Sequence, residues 1–566
     1  MIGITVDNTH IIVVAPFALK DVLKAIPGAQ WDTTRKAWTY PRTTLNAAVV
    51  NMRLPQASIP RSPDFTALVD EARDEDERAE AARVAVDLPA PEITNTQMPP
   101  WAHQRQAYHF ARGKQAAMLA MDMGTGKTRV AIDLIQNDDD RRVLIICPRS
   151  VMENWPREIA KYAAHPEQWR VAVLSGDTRS RTETLRGNLA YCEIHGLRLA
   201  VIVNYEGAWR EPLAKALLKT GWDRVILDES HRIKSPTGVA SKFMERLAPF
   251  ARRRLALTGT PFAHSPLDIF GQYRFLDKSI YGGSFYSFKH RYAVWGGFNN
   301  HELLAYTNEQ ELRERFFGLA FSVRARDVLD LPEAVHVQRY VTLSPRARKM
   351  YDSMNDDFVA WVREGVQVTA TNALVKLLRL QQITSGYMPV DGDEPNPEPV
   401  DDGKADALRD VLDDLDPAEP VVVFCRFRND LDAVHRTAAA AGLLSAELSG
   451  RHNDLAWWQG YDERSAVNEH GKPERMRQPT VLAVQIQSGG VGIDLTRARY
   501  CVYYSLGFSL SDYAQSLARV HRPGQTRSVT YIHLLAADTI DVGVHDALAA
   551  RQDVVDAIMR RVASHD

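Results

Sequence analysis

The stretch MLAMDMGTGKTRVAI, residues 118–132, constrains the fold of this chain more than any other. An apolar run, AAMLAM, passes through Gly124-Thr125-Gly126-Lys127-Thr128 into KTRVAIDLI, where Val130, Ala131, Leu134 and Ile135 share one helical face. Strand, glycine turn and helix in immediate succession is the context that a phosphate-binding loop requires. Gly124 and Gly126 let backbone N–H groups turn toward phosphate oxygens, and the helix N-terminus adds positive potential. Lys127 is placed to reach β- and γ-phosphates and Thr128 to ligate Mg²⁺. The full pattern is G-x-x-x-x-G-K-T, and its first glycine falls on Met121 here. The competing reading is a glycine-rich turn at a helix start. Lys127 and Thr128 in register favour the nucleotide site.

A loop of this kind needs a second strand ending in an acid for the metal. About a hundred residues on stands WDRVILDESHRIKSP, in which Val225–Leu227 is strand-like and Asp228-Glu229 follow at once. Asp228 is assigned to the metal, and Glu229 to orienting and polarising the attacking water, which needs a carboxylate next to the metal ligand. Taken alone, an Asp-Glu pair at a strand end is a solvated turn. Its distance from the loop and the DESH wording argue otherwise.

A length of 566 residues exceeds one ordinary core, so three or four domains are expected. No apolar run reaches the ~20 residues of a membrane span, and MIGITVDNTH is not a signal peptide, so the expected location is cytoplasmic, nucleoid-associated in a prokaryotic or viral setting. The cysteines Cys147, Cys192, Cys425 and Cys501 form no C-x-x-C pair, and buried free thiols are expected. With a formal net charge of −2, a polyanion must be met by local patches.

From Trp101 to about Asp277, short apolar runs alternate with helical segments, which predicts a parallel sheet with helices on both faces. A mostly helical stretch containing FYSFKHRYAVW follows, and a second alternating region runs from about Lys404 to Ala536. The acidic DGDEPNPEPVDDG before it reads as a loop without chemistry. Upstream, the charge-dense DEARDEDERAEAARVAV favours a solvated helix in a linker.

DESH together with GTGKT resembles the superfamily 2 helicase-type ATPases, and neighbouring phrases narrow the resemblance to the Swi/Snf branch. VLIICPRSVMENWPREIAKY is similar to the branch's segment after the first helix, which lies against the DNA backbone; this assigns Pro148, Arg149 and Ser150 to DNA. LALTGTPFAHSPLDIFGQYRFL resembles its TGTP segment, which couples ATP site and DNA through Thr258, Gly259 and Thr260. In that family the position of Met121 is not glycine, and Asp122 precedes the G-x-G-K-T core. Gln104, in WAHQRQAYHFA, falls where the family has an adenine-recognising glutamine, whose amide both donates and accepts and so favours ATP.

Further on, PVVVFCRF is a buried strand with basic residues at its end, and Gln515-x-x-Ala518-Arg519-x-x-Arg522 places two arginines three apart, hence as neighbours on one helix face. A salt-bridged surface helix is the alternative, but the following HRPGQT resembles the family's HRIGQ. The resemblance implies that Arg519 and Arg522 are arginine fingers for the γ-phosphate, worth ~10³–10⁵ in rate. Gly489, Gly490 and Gly492 suggest close backbone approach to ribose or nucleic-acid phosphate. Asp494 stands where many Swi/Snf members have asparagine, with ribose contact as the implied role.

In the first fifty residues, IPGAQWDTTRKAWTYP interleaves Trp31, Trp38 and Tyr40 with Arg35 and Lys36. Such a mixture suits exposed bases and nearby phosphates; equally, the tryptophans are the core of a small domain. The spacing resembles the HARP module of annealing helicases, Swi/Snf relatives that rewind strands at fork-like junctions.

The implied fold is α/β: two RecA-like parallel-sheet lobes with helical insertions plus a small N-terminal α+β module. The expected division is a HARP-like module (1–55), a charged linker (56–99), the first lobe (100–277), a helical connector (278–403), the second lobe (404–545) and a C-terminal helix (546–566). The implied cofactors are ATP and Mg²⁺, and the implied partner is double-stranded or forked DNA, with no membrane. The resemblance implies a translocase that remodels or anneals DNA. Rivals are an RNA-dependent ATPase, the motor subunit of a restriction or nuclease complex, and a non-hydrolysing scaffold.

Overall fold

The computed structural model describes residues 3–26, 29–54, 59–263, 265–297, 302–363, 370–390, 393–462, 465–467, 473–475, 477–487 and 493–559. The chain forms two compact units, which meet in sequence between Val328 and Leu329. Among the described residues, no helix is long and apolar enough to cross a membrane.

The first unit is built on a seven-stranded sheet. In spatial order its strands are Ala320–Val323, Ala116–Met121, Ala251–Thr258, Trp222–Asp228, Arg142–Cys147, Arg198–Asn204 and Trp169–Val173, all parallel. Every side chain of AAMLAM is buried, as expected of a strand covered on both faces. At the N-terminal ends of the strands, the Arg224 guanidinium is buried between Asp138 and Asp140 at 2.5 Å from each.

An antiparallel four-stranded sheet precedes this core, in the order Gly3–Val6, His10–Val14, Ala37–Pro41, Gln30–Asp32. Its core contains Ile11, Val13, Tyr40, Val50, Ile59, Phe65 and Leu68, so residues beyond 55 belong to the same packing. The helix expected in the linker is present, 22 residues long from Pro63 to Val84 and entered through Ser62 as N-cap, but it is not solvated all round. Phe65, Leu68, Ala72, Ala79 and Ala82 are its buried face. Arg83 lies over the Phe110 ring at 4.1 Å and donates to the Phe317 carbonyl. The sequence reads as solvated because the buried face rests largely on three alanines, which leave almost no hydrophobic signal among the charges.

The second unit has a six-stranded parallel sheet in the order Ala334–Val341, Val529–Ala536, Tyr500–Tyr503, Val421–Cys425, Val481–Gln485, Ser445–Leu448. A long helix, Ile540–Met559, follows its last strand. Buried Lys404 pairs with Asp541 at 2.6 Å, and Asp541 also accepts from Thr384 Oγ1 at 2.8 Å.

The stretch 278–403, expected to be mostly helical, supplies edge strands to both sheets. Ala320–Val323 is only four residues long, and Ala334–Val341 is exposed over most of its length, so neither has an apolar period. The acidic segment expected as a loop instead pairs as Asp393–Pro399 against Tyr387–Val390. Its prolines are compatible with a two-stranded ladder, where one edge of each strand needs no N–H partner. All four cysteines are buried free thiols.

Candidate nucleotide site and nucleic-acid loops

Parallel strands send all their C-terminal ends to one side of a sheet, where α/β proteins bind ligands. In the first unit, four neighbouring strands there lead into the phosphate loop, the TGTP segment, the DESH segment and Pro148–Ser150, in that spatial order. The register sets Thr258 beside Ala120, and Leu257 beside Asp228.

The phosphate loop needs its glycines. Gly124 has φ 79° and Gly126 φ 88°, and Gly126 caps the helix Lys127–Asn137. A Cβ on Gly126 would lie 2.1 Å from Gln104 Nε2. Lys127 Nζ donates to the carbonyls of Met121 at 2.9 Å and Asp122 at 3.2 Å. Thr125 Oγ1 donates to the Asp122 carbonyl at 2.6 Å, and Asp122 Oδ2 accepts the Ala325 N–H at 2.9 Å. Thr128 is half-buried in the first turn of the helix. Gln104 is buried against this loop: Nε2 donates to the Thr125 carbonyl at 3.0 Å and Oε1 accepts the Trp101 N–H at 3.0 Å. His103, which sequence reasoning passed over, contacts the same carbonyl through Nε2 at 2.8 Å.

Across the sheet, Asp228 Oδ1 accepts the Glu229 N–H at 3.0 Å, and Oδ2 accepts the Trp155 indole N–H at 3.1 Å. The Tyr205 hydroxyl donates to the Asp228 carbonyl at 2.9 Å. Burial, and then the neighbouring Glu229 carboxylate, push the Asp228 pKa up to about 7, against the pull of the Lys127 ammonium and the indole. Glu229 adopts φ 51°, a left-handed conformation rare outside glycine and concentrated at functional sites. His231 Nδ1 is 3.4 Å from Glu229 Oε2, 3.3 Å from Thr258 Oγ1 and 3.5 Å from Thr260 Oγ1. The Thr260 N–H returns to Thr258 Oγ1 at 3.0 Å. The DESH and TGTP segments therefore touch through one imidazole. Gly259 approaches Met123 so closely that a Cβ there would be 3.3 Å from its side chain. Pro148 is buried, while Arg149 and Ser150 are exposed.

In the second unit, Arg519 is buried on the helix Leu510–Val520, but Arg522 lies beyond the C-cap His521. The expectation that both share one helix face is corrected: Pro523 disfavours helical geometry at Arg522, and Gly524, at φ 103°, completes the turn. The two arginines nonetheless meet one segment. The Arg519 carbonyl accepts the Leu495 N–H at 3.1 Å, and Arg522 Nη1 donates to the Ile493 carbonyl at 3.1 Å. Asp494, between them, accepts the Thr496 N–H at 2.9 Å and its hydroxyl at 2.7 Å. Gly489, Gly490 and Gly492 lie outside the described residues.

In the N-terminal sheet, Trp31 stands directly opposite Trp38, edge-on at 5.4 Å. Trp38 packs on the module's core, whereas Trp31 is 51% exposed. Arg35 pairs with Asp7 at 2.7 Å and with Asp32 at 3.5 Å.

A parallel sheet whose adjacent strand ends carry GKT, DESH and TGTP segments, with a second sheet bearing paired arginines, defines a helicase-like ATPase. The SNF2-related domain matches residues 78–386, more than half of the chain, and the helicase conserved C-terminal domain matches residues 403–524. The chain belongs to the SNF2-related family of helicase-like ATPases. Among its relatives, an uncharacterized ATP-dependent helicase of Mycoplasma genitalium is 24% identical over 448 residues, 77% of this chain and 40% of that protein. An ISWI chromatin-remodeling complex ATPase of Saccharomyces cerevisiae is 23% identical over 475 residues, 80% of this chain and 40% of that protein. The chain thus spans about two fifths of these relatives' length. A solved SWI2/SNF2 ATPase core of Sulfolobus solfataricus in complex with dsDNA is 21% identical, with TM-score 0.38, over 84% of this chain and 95% of that one.

Proposed function

We propose that the chain is an ATP-driven motor that translocates on double-stranded DNA and remodels or anneals it, with single-strand/double-strand junctions as its preferred structure. What supports the reading most is the contact of the DESH and TGTP segments through His231, one strand away from the phosphate loop. A carboxylate that activates water and a loop assigned to DNA then share a single side chain.

In this reading, Lys127 exchanges its carbonyl partners for the β- and γ-phosphates, and Gln104 reads the adenine edge. Two repelling buried carboxylates beside one lysine, with a threonine hydroxyl in the loop, form the hard oxygen set that suits Mg²⁺. Thr128 directly and Asp228 through water would hold that ion, which would neutralise charge developing on the phosphates. Glu229 takes a proton from the attacking water. Its Oε2 is buried and makes no close hydrogen bond among the described residues, with only the His231 Nδ1 at 3.4 Å beside it, which leaves acceptor capacity for that role. Arg519 and Arg522 stabilise charge on the γ-phosphate, and Asp494 contacts ribose. Pro148, Arg149, Ser150 and the TGTP segment follow the DNA backbone. Trp31, half-exposed at the module's edge, offers a ring to an unpaired base.

The test is steady-state ATP hydrolysis without nucleic acid and with single-stranded, duplex and forked DNA and RNA, using Lys127→Ala as the blank. Duplex or forked DNA is expected to stimulate hydrolysis in the parent chain only, and Trp31→Ala to erase the preference for forks. Stimulation by RNA alone would overturn the DNA assignment; equal preference for forks in Trp31→Ala would overturn the role of the module.

A further inference from the structure

Four neighbouring strands of the second sheet, Val421–Cys425, Tyr500–Tyr503, Val529–Ala536 and Ala334–Val341, carry a row of rings on one face. Register sets Phe424 beside Tyr503 and Tyr503 beside His533. The first pair lies 5.1 Å apart at 20° between planes, and the second 4.8 Å apart at 6°. These separations follow the spacing of adjacent strands, about 4.8 Å. Phe424, Tyr503 and His533 are buried. On the last strand His336 continues the stack, its ring 5.0 Å from Tyr531 at 24° and 5.9 Å from His533 at 18°. His336 is exposed, so the stack ends in an open ring at the edge of the sheet.

That edge borders a cavity of about 560 Å³, a size typical of small-molecule sites. His336 and Gln338 line it from the strand, Tyr513 and Leu517 from the helix Leu510–Val520, and His545 and Leu548 from the helix Ile540–Met559. No residue assigned above to nucleotide or nucleic acid lines it. Gln338 Oε1 accepts the Tyr340 hydroxyl at 2.8 Å. Among the described residues, the Gln338 amide N–H groups and the His336 ring nitrogens have no hydrogen-bond partner, and no carboxylate pairs with His336 or His533. Burial, and then the positive charges of His545 and His336, hold the His533 pKa down to about 3, and burial lowers that of His336 as well. Both imidazoles are therefore largely neutral at neutral pH.

We infer that this cavity binds a free, uncharged, planar nitrogen heterocycle of nucleobase or nucleoside size, stacked on His336 as the next rung and accepting an N–H from Gln338. Stacking tolerates any flat π-face, so the amide supplies the choice, favouring a ring with a carbonyl or ring-nitrogen acceptor over one without. Leu517 and Leu548 supply apolar surface for the rest of the ring. The site stands whether or not the chain moves along DNA.

The experiment is calorimetric titration of the full chain with inosine, in the presence of excess ADP to occupy the nucleotide site, and in parallel with indole, which offers a ring but no acceptor. Inosine is expected to bind once per chain and indole more weakly. His336→Ala should weaken inosine at least about fivefold, the low end of ring–base stacking. Gln338→Ala should weaken it about two- to tenfold and leave indole unchanged. Ala549→Trp, at an exposed helix position on the cavity wall, should abolish both by filling the space. All three positions are exposed, so the fold is expected to hold, and thermal melting checks it. Absence of saturable inosine binding, or binding that His336→Ala and Ala549→Trp leave unchanged, overturns the site. Equal losses of inosine and indole in Gln338→Ala overturn the preference for an acceptor. A single-stranded oligonucleotide whose binding His336→Ala weakens, with inosine not bound, would give the rung to an unpaired base and overturn the free ligand.

Discussion

Replacing Trp155 by phenylalanine removes the indole N–H together with part of a buried ring system, and the structure sets what should follow. The indole donates to Asp228 Oδ2 at 3.1 Å in a buried setting, and this bond holds the carboxyl pKa down against burial and Glu229. A hydrogen bond to an ionised group contributes ~1.5–3 kcal/mol, or roughly one to two pKa units. Removing it raises the Asp228 pKa from about 7 to the region of ~8–9. If Asp228 holds Mg²⁺ as proposed, a proton competes with the ion for that carboxylate, so at pH 7 the apparent Mg²⁺ affinity should fall by about five- to fiftyfold. Near pH 9, where the parent's carboxylate is almost fully ionised and at least about half of the variant's is, the gap should close to about twofold or less. The assay is the Mg²⁺ dependence of fluorescent nucleotide binding at several pH values, with thermal melting as the folding control. A Mg²⁺ midpoint that Trp155→Phe leaves unmoved at pH 7, or moves equally at pH 7 and pH 9, would refute the reasoning.

Two further outcomes follow from particular contacts. Gly126→Ala combines a left-handed φ with a Cβ 2.1 Å from Gln104 Nε2, so it should cost about 1–3 kcal/mol of local strain and weaken ATP binding at least tenfold by calorimetry; retained affinity would mean that the loop relaxes freely. Lys404→Met leaves Asp541 buried without its cation and should destabilise the second unit by about 3–5 kcal/mol in denaturant unfolding, whereas Lys404→Met/Asp541→Leu should recover most of that loss.

The nucleotide side of the first unit was legible because GKT, DESH and TGTP are local words whose strand contexts carry strong apolar runs. What closes the site was not legible. Trp155 lies 73 residues before Asp228, and nothing in ENWPRE announces a partner across the sheet. His103 beside Gln104 is equally silent, since a lone side chain carries no pattern of its own. A spacing of three puts Arg522 on the face of Arg519 only if the helix runs on, and the Pro523-Gly524 that follows ends it. The edge strands 320–323 and 334–341 are defined by the strands they pair with rather than by their own composition. The helix Pro63–Val84 hides its buried face in alanines.

The imidazole of His231 has one further consequence. Its Nδ1 faces three oxygens at 3.3, 3.4 and 3.5 Å, on Thr258, Glu229 and Thr260. A ring nitrogen has either one proton or one lone pair, so it can serve one of them well at a time. All three distances sit at the outer limit of a hydrogen bond, and tightening any one loosens the others. The link is a ballot among three candidates. In the proposed motor this ring is where the DESH carboxylate and the two TGTP hydroxyls compete for one nitrogen, a link that asks no strand of the sheet to move.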